Sequence, residues 1–209
     1  MAVPGHLLKG KSAEQKQVVK YFLDTGCLSL FTRMKDDVYD QMVMGKLNGL
    51  NLKQKAIGRI GLDEDQLREI PPVFLHGYNY DTETSKTDLY VRVGSDERLR
   101  SSKYDATWLF FSDTQVYMYS YTIDMVSDGK KEITEEYFYK DITNFSTSNE
   151  TTEANKFGCM GNITKITREY SRFTLVVPGD KFWCSTAGVP DADKSVNAMK
   201  QKLREKKGG

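Results

Sequence analysis

Cysteine and histidine are the residue types that most often carry nucleophilic or metal chemistry, and this chain has three of the first and two of the second. No two cysteines form a CxxC pair, and neither histidine has a Cys, Asp or Glu at the spacing of a metal site. Cys184 follows two aromatic residues, as in a core strand, although a nucleophilic pair of His76 with Cys184 or Cys159 stays open at this stage. We predict no catalytic, metal or cofactor-binding residue. The cysteines and histidines, none of which we assign to a site, are Cys27, Cys159, Cys184, His6 and His76.

The acidic runs Asp63-Glu64-Asp65 and Glu135-Glu136 are the places where paired carboxylates could do general acid–base work. The first run lies where a helix should begin, and acidic residues there complement the helix dipole. The second lies in a predicted strand, where we expect it on the solvated face. Neither run indicates an active site, so we predict that the protein is not an enzyme.

Basic residues between positions 92 and 103 come closest to a phosphate-binding cluster. Asp96, Glu97 and Asp105 are interleaved with them and cancel much of their field, so binding to an anionic lipid is not expected. A second basic group lies near the end of the chain, where cations complement the C-terminus of a helix. Together these groups are the candidate interaction surface. Its members are Arg92, Arg98, Arg100, Lys103, Lys200 and Arg204.

Composition narrows the partners and the compartment. Lys and Arg number 30 against 29 Asp and Glu, a balance that excludes a general nucleic-acid binder. The tyrosine ladder Tyr117, Tyr119 and Tyr121 lacks flanking basic residues, so we expect core packing or a protein-facing surface and not base stacking. No run approaches 18 apolar residues, so we expect no transmembrane segment. The N-terminus has no apolar core of signal-peptide length. Sparse, unpaired cysteines indicate the cytoplasm.

A change of pattern at Pro71-Pro72 divides the chain. The preceding residues have helical spacing, and Ser12 with Gln15 matches a capping box before the first apolar stripe. Two successive prolines stop a helix, and the residues after them alternate as strands do. We therefore predict an α-helical extension over residues 1–71 and a β-rich domain over residues 72–209.

Further expectations concern individual segments. A second helix is expected from about residue 35 to residue 46, with Val38, Tyr39, Met42 and Val43 on its inner face. Residues 149–161 are polar, so we expect a long loop there, and the polar, charged residues 94–103 should form a loop or an irregular sheet edge. Residues 105–147 should form the central antiparallel meander, with residues 106–111 in the middle of a sheet.

The last segment, residues 190–207, has the spacing of an amphipathic helix. Its apolar stripe should close the open end of the β-rich domain, and Met199→Asp should therefore bury an unpaired charge and impair folding. The stripe consists of Ala192, Val196, Met199 and Leu203.

This order of elements resembles the pleckstrin-homology-like domains, whose pattern is seven or eight antiparallel strands followed by one amphipathic helix. The hairpin from Trp108 to Tyr121 resembles the middle of bacterial members, and Tyr139-Lys140-Asp141-Ile142-Thr143 resembles their y-x-D-I-T strand. The resemblance covers about residues 72–207. It implies an α+β fold, a bent antiparallel β-barrel capped by a C-terminal helix. The helical segment before it resembles no family.

The resemblance and the absence of a catalytic pattern together predict a non-enzymatic binding or interaction module. Its partner is expected to be another protein or a second copy of the chain. The alternative is a barrel cavity that binds a small hydrophobic ligand, or an enzyme using such a cavity in the manner of lipocalin-like folds. Aromatic residues such as Trp108, Phe110 and Phe111 motivate this alternative.

Overall fold

The computed structural model describes residues 3–25, 33–62, 71–81, 89–157, 162–188, 196–197, 200–201 and 203–206. Within these ranges the chain has three N-terminal α-helices, nine strands in two sheets and a C-terminal helix. The predicted α+β class is therefore confirmed. No helix in the described ranges is both long enough and apolar enough to cross a membrane. Cys27, Cys159 and the acidic run at 63–65 lie outside the described residues.

The N-terminal helices are α1 (Ala13–Leu23), α2 (Asp36–Gly49) and α3 (Leu52–Ile60). The capping box predicted for α1 is confirmed. The Ser12 hydroxyl accepts a hydrogen bond from the Gln15 N–H at 3.1 Å, and the Gln15 side chain accepts one from the Ser12 N–H at 2.9 Å. This exchange satisfies two N–H groups that a helix start otherwise leaves without partners.

Helix α2 differs from its prediction at one of the four positions predicted to face inward. Val38 is 42% exposed, so its predicted inward position is wrong. Tyr39, Val43 and Leu47 are the buried side chains of α2, and their spacing of four residues places them on one face. The predicted inward positions of Tyr39 and Val43 are therefore confirmed, and Met42 packs half-buried against the same core.

The strands are β1 (Val73–Tyr78), β2 (Val91–Val93), β3 (Leu99–Ser101), β4 (Lys103–Phe111), β5 (Gln115–Asp124), β6 (Lys130–Phe138), β7 (Asn144–Phe157), β8 (Ile163–Val177) and β9 (Asp180–Ser185). The first sheet is antiparallel in the order β1-β4-β5-β6. Strand β4 pairs on both sides, which confirms the central position predicted for residues 106–111. The second sheet has the order β3-β2-β7-β8-β9, and only its β2–β7 pair is parallel.

Both polar segments predicted as a loop or an irregular edge contain strands. Residues 149–157 continue β7, and a register of fourteen residue pairs joins β7 to β8. Ser, Thr, Asn and Glu lie on both faces of this hairpin, so its sequence has no alternation of apolar and polar residues to reveal it. Residues 94–103 contain β3, which is held by contacts with α2 that are distant in sequence.

The two sheets meet at a corner where β1 passes β9. The Gly188 N–H donates a hydrogen bond to the His76 carbonyl at 2.9 Å. A Cβ atom on Gly77 would lie 2.4 Å from the Ser185 hydroxyl, so this close approach requires glycine at position 77. The inner faces of the two sheets are thereby brought opposite each other.

Each face of the first sheet packs into a different hydrophobic core. The outer core joins helices α1–α3 to the outward-facing residues of β4 and β5, which include Tyr104, Ala106, Phe110, Tyr119 and Tyr121. This confirms core packing for Tyr119 and Tyr121. The helical segment and the β-rich part thus share one core, while the division at residue 71 stays a prediction.

The inner core joins both sheets to the C-terminal helix, which is helical at residues 196–197, 200–201 and 203–206. Val196 and Leu203 are 1% and 2% exposed within this core, as the predicted stripe requires. Lys206 also pairs with Asp113 at 3.0 Å in the β4–β5 turn. Met199 lies outside the described residues.

Candidate functional site

The inner face of the first sheet changes from apolar to polar along its strands. Leu109 and Met118 are paired in the apolar half. Four residues nearer the start of β4, Asp105 pairs with Thr122 of β5, which pairs in turn with Lys131 of β6. Because residues two apart on a strand share a face, these polar side chains belong to the same surface as the apolar ones. The C-terminal helix packs against the apolar half only.

The polar half lines an open cleft of about 770 Å³ between the first sheet and β9. Small-molecule sites in proteins have volumes of roughly 300–1,000 Å³, so this cleft is large enough for a ligand. Most of the lining residues are polar or charged, although apolar atoms form the larger part of the exposed lining surface. Lining residues near its floor and walls include Asn79, Asp105, Ser120, Thr122, Ile133 and Phe182.

Asp105 is the most deeply buried charged group of the cleft, with 5% of its surface exposed. Its Oδ2 accepts a hydrogen bond from the Asn79 amide and its Oδ1 accepts one from the Thr122 hydroxyl, both at 2.7 Å. Both donors are neutral. In the described part of the chain no Lys, Arg or His side chain lies within ion-pair distance of Asp105.

Burial raises the pKa of Asp105 from its ordinary value of 3.8 to about 6, although the hydrogen bonds from Thr122 and Asn79 and the charge of Lys131 act in the opposite direction. The carboxyl group is thus ionised at neutral pH at a cost in folding free energy. A shift of about two pKa units corresponds to roughly 3 kcal/mol. Buried acids with raised pKa values in clefts are typical of functional sites.

Asp105→Asn should remove this cost while keeping the shape of the side chain. The folded protein binds more protons at Asp105 than the unfolded chain does between pH 4 and 6, so the carboxyl group lowers stability as pH rises through that window. We expect the stability of the variant relative to the wild type to increase by roughly 2 kcal/mol between pH 4 and pH 7. Urea unfolding of both proteins at each pH measures the difference, and parallel stability curves would contradict the assignment.

Glu135 adds a second perturbed carboxyl group to the cleft. Burial, followed by repulsion from Asp180, raises its pKa, and Lys131 opposes the shift. The Tyr137 hydroxyl donates a hydrogen bond to it. The predicted solvated position is therefore confirmed for Glu136, which is exposed, and wrong for Glu135, which is half-buried.

The candidate interaction surface is divided between buried and exposed residues. Arg100 is 1% exposed and its guanidinium donates to both carboxylate oxygens of Asp40 and both of Asp96, at 2.7–2.8 Å. Arg92 is 6% exposed and donates to the Tyr21 carbonyl at 2.5 Å. These two arginines connect the β2–β3 hairpin to α1 and α2, so they are not available to a partner.

The other four members of that surface lie apart from the buried pair. Arg98 and Arg204 are exposed, and Lys103 and Lys200 are half-buried. Lys200 donates to the Thr147 hydroxyl at 3.2 Å, and Lys103 lines the cleft. Binding of a partner by these residues stays a prediction.

The prediction that the chain has no cysteine or metal chemistry can be examined only at the residues that the structure describes. Cys184 is buried, and burial followed by the nearby charge of Asp105 raises the pKa of its thiol. Its hydrogen-bond partner is Thr107 and not His76, whose ring bonds to the Tyr104 hydroxyl at 2.6 Å. Among the described residues no group of His, Cys, Asp and Glu could hold a metal ion.

The sequence did not single out Asp105, Thr122 or Asn79 as a site. One signal was present, because Asp105 alternates with Thr107 and Leu109 in a strand predicted to be central, and an acid on that face must lie inside. Thr122 on the partner strand and Asn79 in a loop supply the donors, and the tertiary structure brings both to Asp105. The spacing of residues in the sequence does not indicate these contacts.

No family model, no curated protein and no solved structure matches the chain. The resemblance to pleckstrin-homology-like domains accordingly depends on the residues and on the order of elements, and the function has to be inferred from the cleft.

Proposed function

We propose that the chain is a non-enzymatic binding module built on a pleckstrin-homology-like barrel. The order of strands supports this fold. If the short β2–β3 hairpin is treated as an insertion, seven strands remain, four in the first sheet and three in the second, and a helix follows them. A reducing cytoplasm is the proposed compartment, which agrees with the buried free thiol of Cys184.

The cleft is the proposed binding site, and the position of Asp105 is the observation that carries this assignment. Asp105 has no ion pair within the described part of the chain, so its burial costs free energy, and a structural residue at this position would more simply be neutral. A ligand that contacts Asp105 would recover part of that cost. Because many polar side chains share the lining with a larger apolar surface, the ligand that fits best combines a polar group with an apolar part, unlike the purely hydrophobic ligand expected from the aromatic content.

Binding of an extended protein segment is the second candidate. β7 pairs with β2 only at Asn155 and Lys156, and no described strand pairs with the rest of that edge. A free edge accepts an additional strand from a partner or from a second copy. The edge has no buried charge or enclosed surface to select a ligand, so the cleft is preferred.

A library of polar metabolites tests the cleft. We expect at least one compound to raise the melting temperature in a concentration-dependent way, because a ligand that binds only the folded state stabilises it. Ile133→Trp places a large ring in the cleft and should abolish the shift. Thr134→Trp is the matched control, because Thr134 is the next residue of β6 and faces the opposite side.

The outcomes of this screen separate the two candidates. Lys131→Trp, at the exposed rim, is a second blocking variant in case Ile133→Trp does not fold. Equal melting shifts for blocked and control variants would place binding elsewhere. If no compound binds and light scattering finds a dimer, the β7 edge becomes the preferred site.

A further inference from the structure

The cleft has opposite charges at its floor and at its rim. Asp105 at the floor is 5% exposed, whereas Lys130, Lys131 and Lys181 at the rim are exposed. An anion entering the cleft would meet the lysines first and would be repelled by the buried carboxylate. A cation reaching the floor would instead neutralise a charge that costs free energy to bury.

The hydrogen-bond geometry at the floor favours a nitrogen donor. Each oxygen of Asp105 accepts one hydrogen bond from a neutral side chain, and a carboxylate oxygen has two acceptor sites. The oxygens thus retain acceptor sites for the N–H groups of an ammonium ion. Ile133 and Phe182 line the same cleft and provide apolar surface for a short carbon chain.

We propose that the cleft recognises a primary ammonium group carried on a short alkyl chain, with Asp105 as its counter-ion. The inference rests on the proposed binding function and names the ligand class. Two sources carry this chemistry, a free alkylamine and the side chain of a lysine in a peptide.

Several charged groups surround Asp105 and affect the pH at which it binds. On β4 and the loop after β1 they are Lys103 and Asp81. On β5 and β6 they are Asp124, Lys130, Lys131 and Glu135. On β9 they are Asp180, Lys181 and the thiol of Cys184. With Asp105 itself counted, the lining has five carboxyl groups and four lysines, so the field of the whole lining does not oppose a cation.

NMR titrations of the full chain test the proposal with matched probes. Pentylamine should shift the amide signals of Asn79 and Thr122, whereas 1-pentanol and pentanoate should not. Nα-acetyl-lysine N-methylamide, measured in parallel, distinguishes a peptide source from a free amine. Lowering the pH from 7.5 to 5 should weaken pentylamine binding about tenfold, because the Asp105 carboxylate takes up a proton near pH 6.

Asp105→Asn should weaken pentylamine binding at least about tenfold at pH 7.5 and remove the pH dependence, as expected for the loss of a charged partner. The asparagine keeps an acceptor for the Asn79 amide, and the variant should melt no lower than the wild type at that pH. Asp141→Asn, an exposed aspartate outside the cleft, is the matched control and should bind like the wild type.

Equal binding of pentylamine and 1-pentanol, or of wild type and Asp105→Asn, would overturn the proposal. If the amines fail but other library compounds bind and Ile133→Trp blocks them, the ligand class is wrong and the binding function remains. If no compound of any charge binds in the cleft, both the ligand class and the cleft as the binding site are wrong.

Discussion

Leu203→Asp should unfold the inner core, with a loss of about 4 kcal/mol in unfolding free energy, since it buries a charge without a partner. Leu203 is 2% exposed and packs with the inner faces of both sheets. The total unfolding free energy of a domain is about 5–15 kcal/mol. A loss of this size is a large part of it, so soluble expression should also fall. Thermal and urea unfolding measure the effect.

Asn197→Asp is the matched control for this variant. It introduces one negative charge into the same helix at an exposed position, so we expect a melting temperature close to that of the wild type. Equal stability of the Leu203→Asp and Asn197→Asp proteins would mean that the C-terminal helix does not pack between the sheets. The capped architecture would then have to be abandoned.

Local signals in the sequence predicted the parts of the fold that local interactions determine. The capping box of Ser12 and Gln15 closes within four residues, so its residue types are sufficient to identify it. The turn between β8 and β9 is equally local, because Pro178 is followed by Gly179, which has the positive φ of 84° that a type II turn requires at its third residue. Strand β4 was predicted because its sequence is apolar on both faces, and both faces are buried in the structure.

The elements that were missed depend on tertiary contacts. The β7–β8 hairpin is polar on both faces and is specified by fourteen paired residues, not by a hydrophobic period. Val38 was placed inward because neighbouring apolar residues allow two overlapping stripes, and only packing on the sheet selects between them. The cleft shows the same limit, because Asp105 gains its environment from β5, β6 and β9.

The buried arginines illustrate how a charge pattern misleads when its partners are distant. Arg100 lies between Arg98 and Lys103 in a segment that reads as basic. Its carboxylate partner Asp40 is sixty residues away on α2, and Gly94 leaves the space that the guanidinium fills. A Cβ atom on Gly94 would lie 2.4 Å from Arg100 Nη1. What resembled a phosphate-binding cluster is therefore a connection between the hairpin and the helix.

Arg100→Ala should consequently destabilise the protein by about 3 kcal/mol, because breaking a buried ion pair from one side leaves carboxylates without their donor. The side chains of Asp40 and Asp96 are 31% and 40% exposed, so water compensates part of the loss and the effect falls at the lower end of the usual range. Burial lowers the pKa of Arg100, but its hydrogen bonds to Asp96 and Asp40 outweigh that effect and raise it. The guanidinium thus stays charged at every pH of the measurement.

Two further variants make the result specific. Arg98→Ala removes an exposed arginine two residues away and should change the unfolding free energy by less than about 0.5 kcal/mol. Arg100→Lys keeps the charge but cannot reach two carboxylates with a planar fork, so it should recover only part of the stability. Hydrogen exchange should then show faster opening of β2, β3 and α2 than of β4, because the network joins the hairpin to that helix. Full rescue by lysine would show that charge alone, and not the paired geometry, connects these elements.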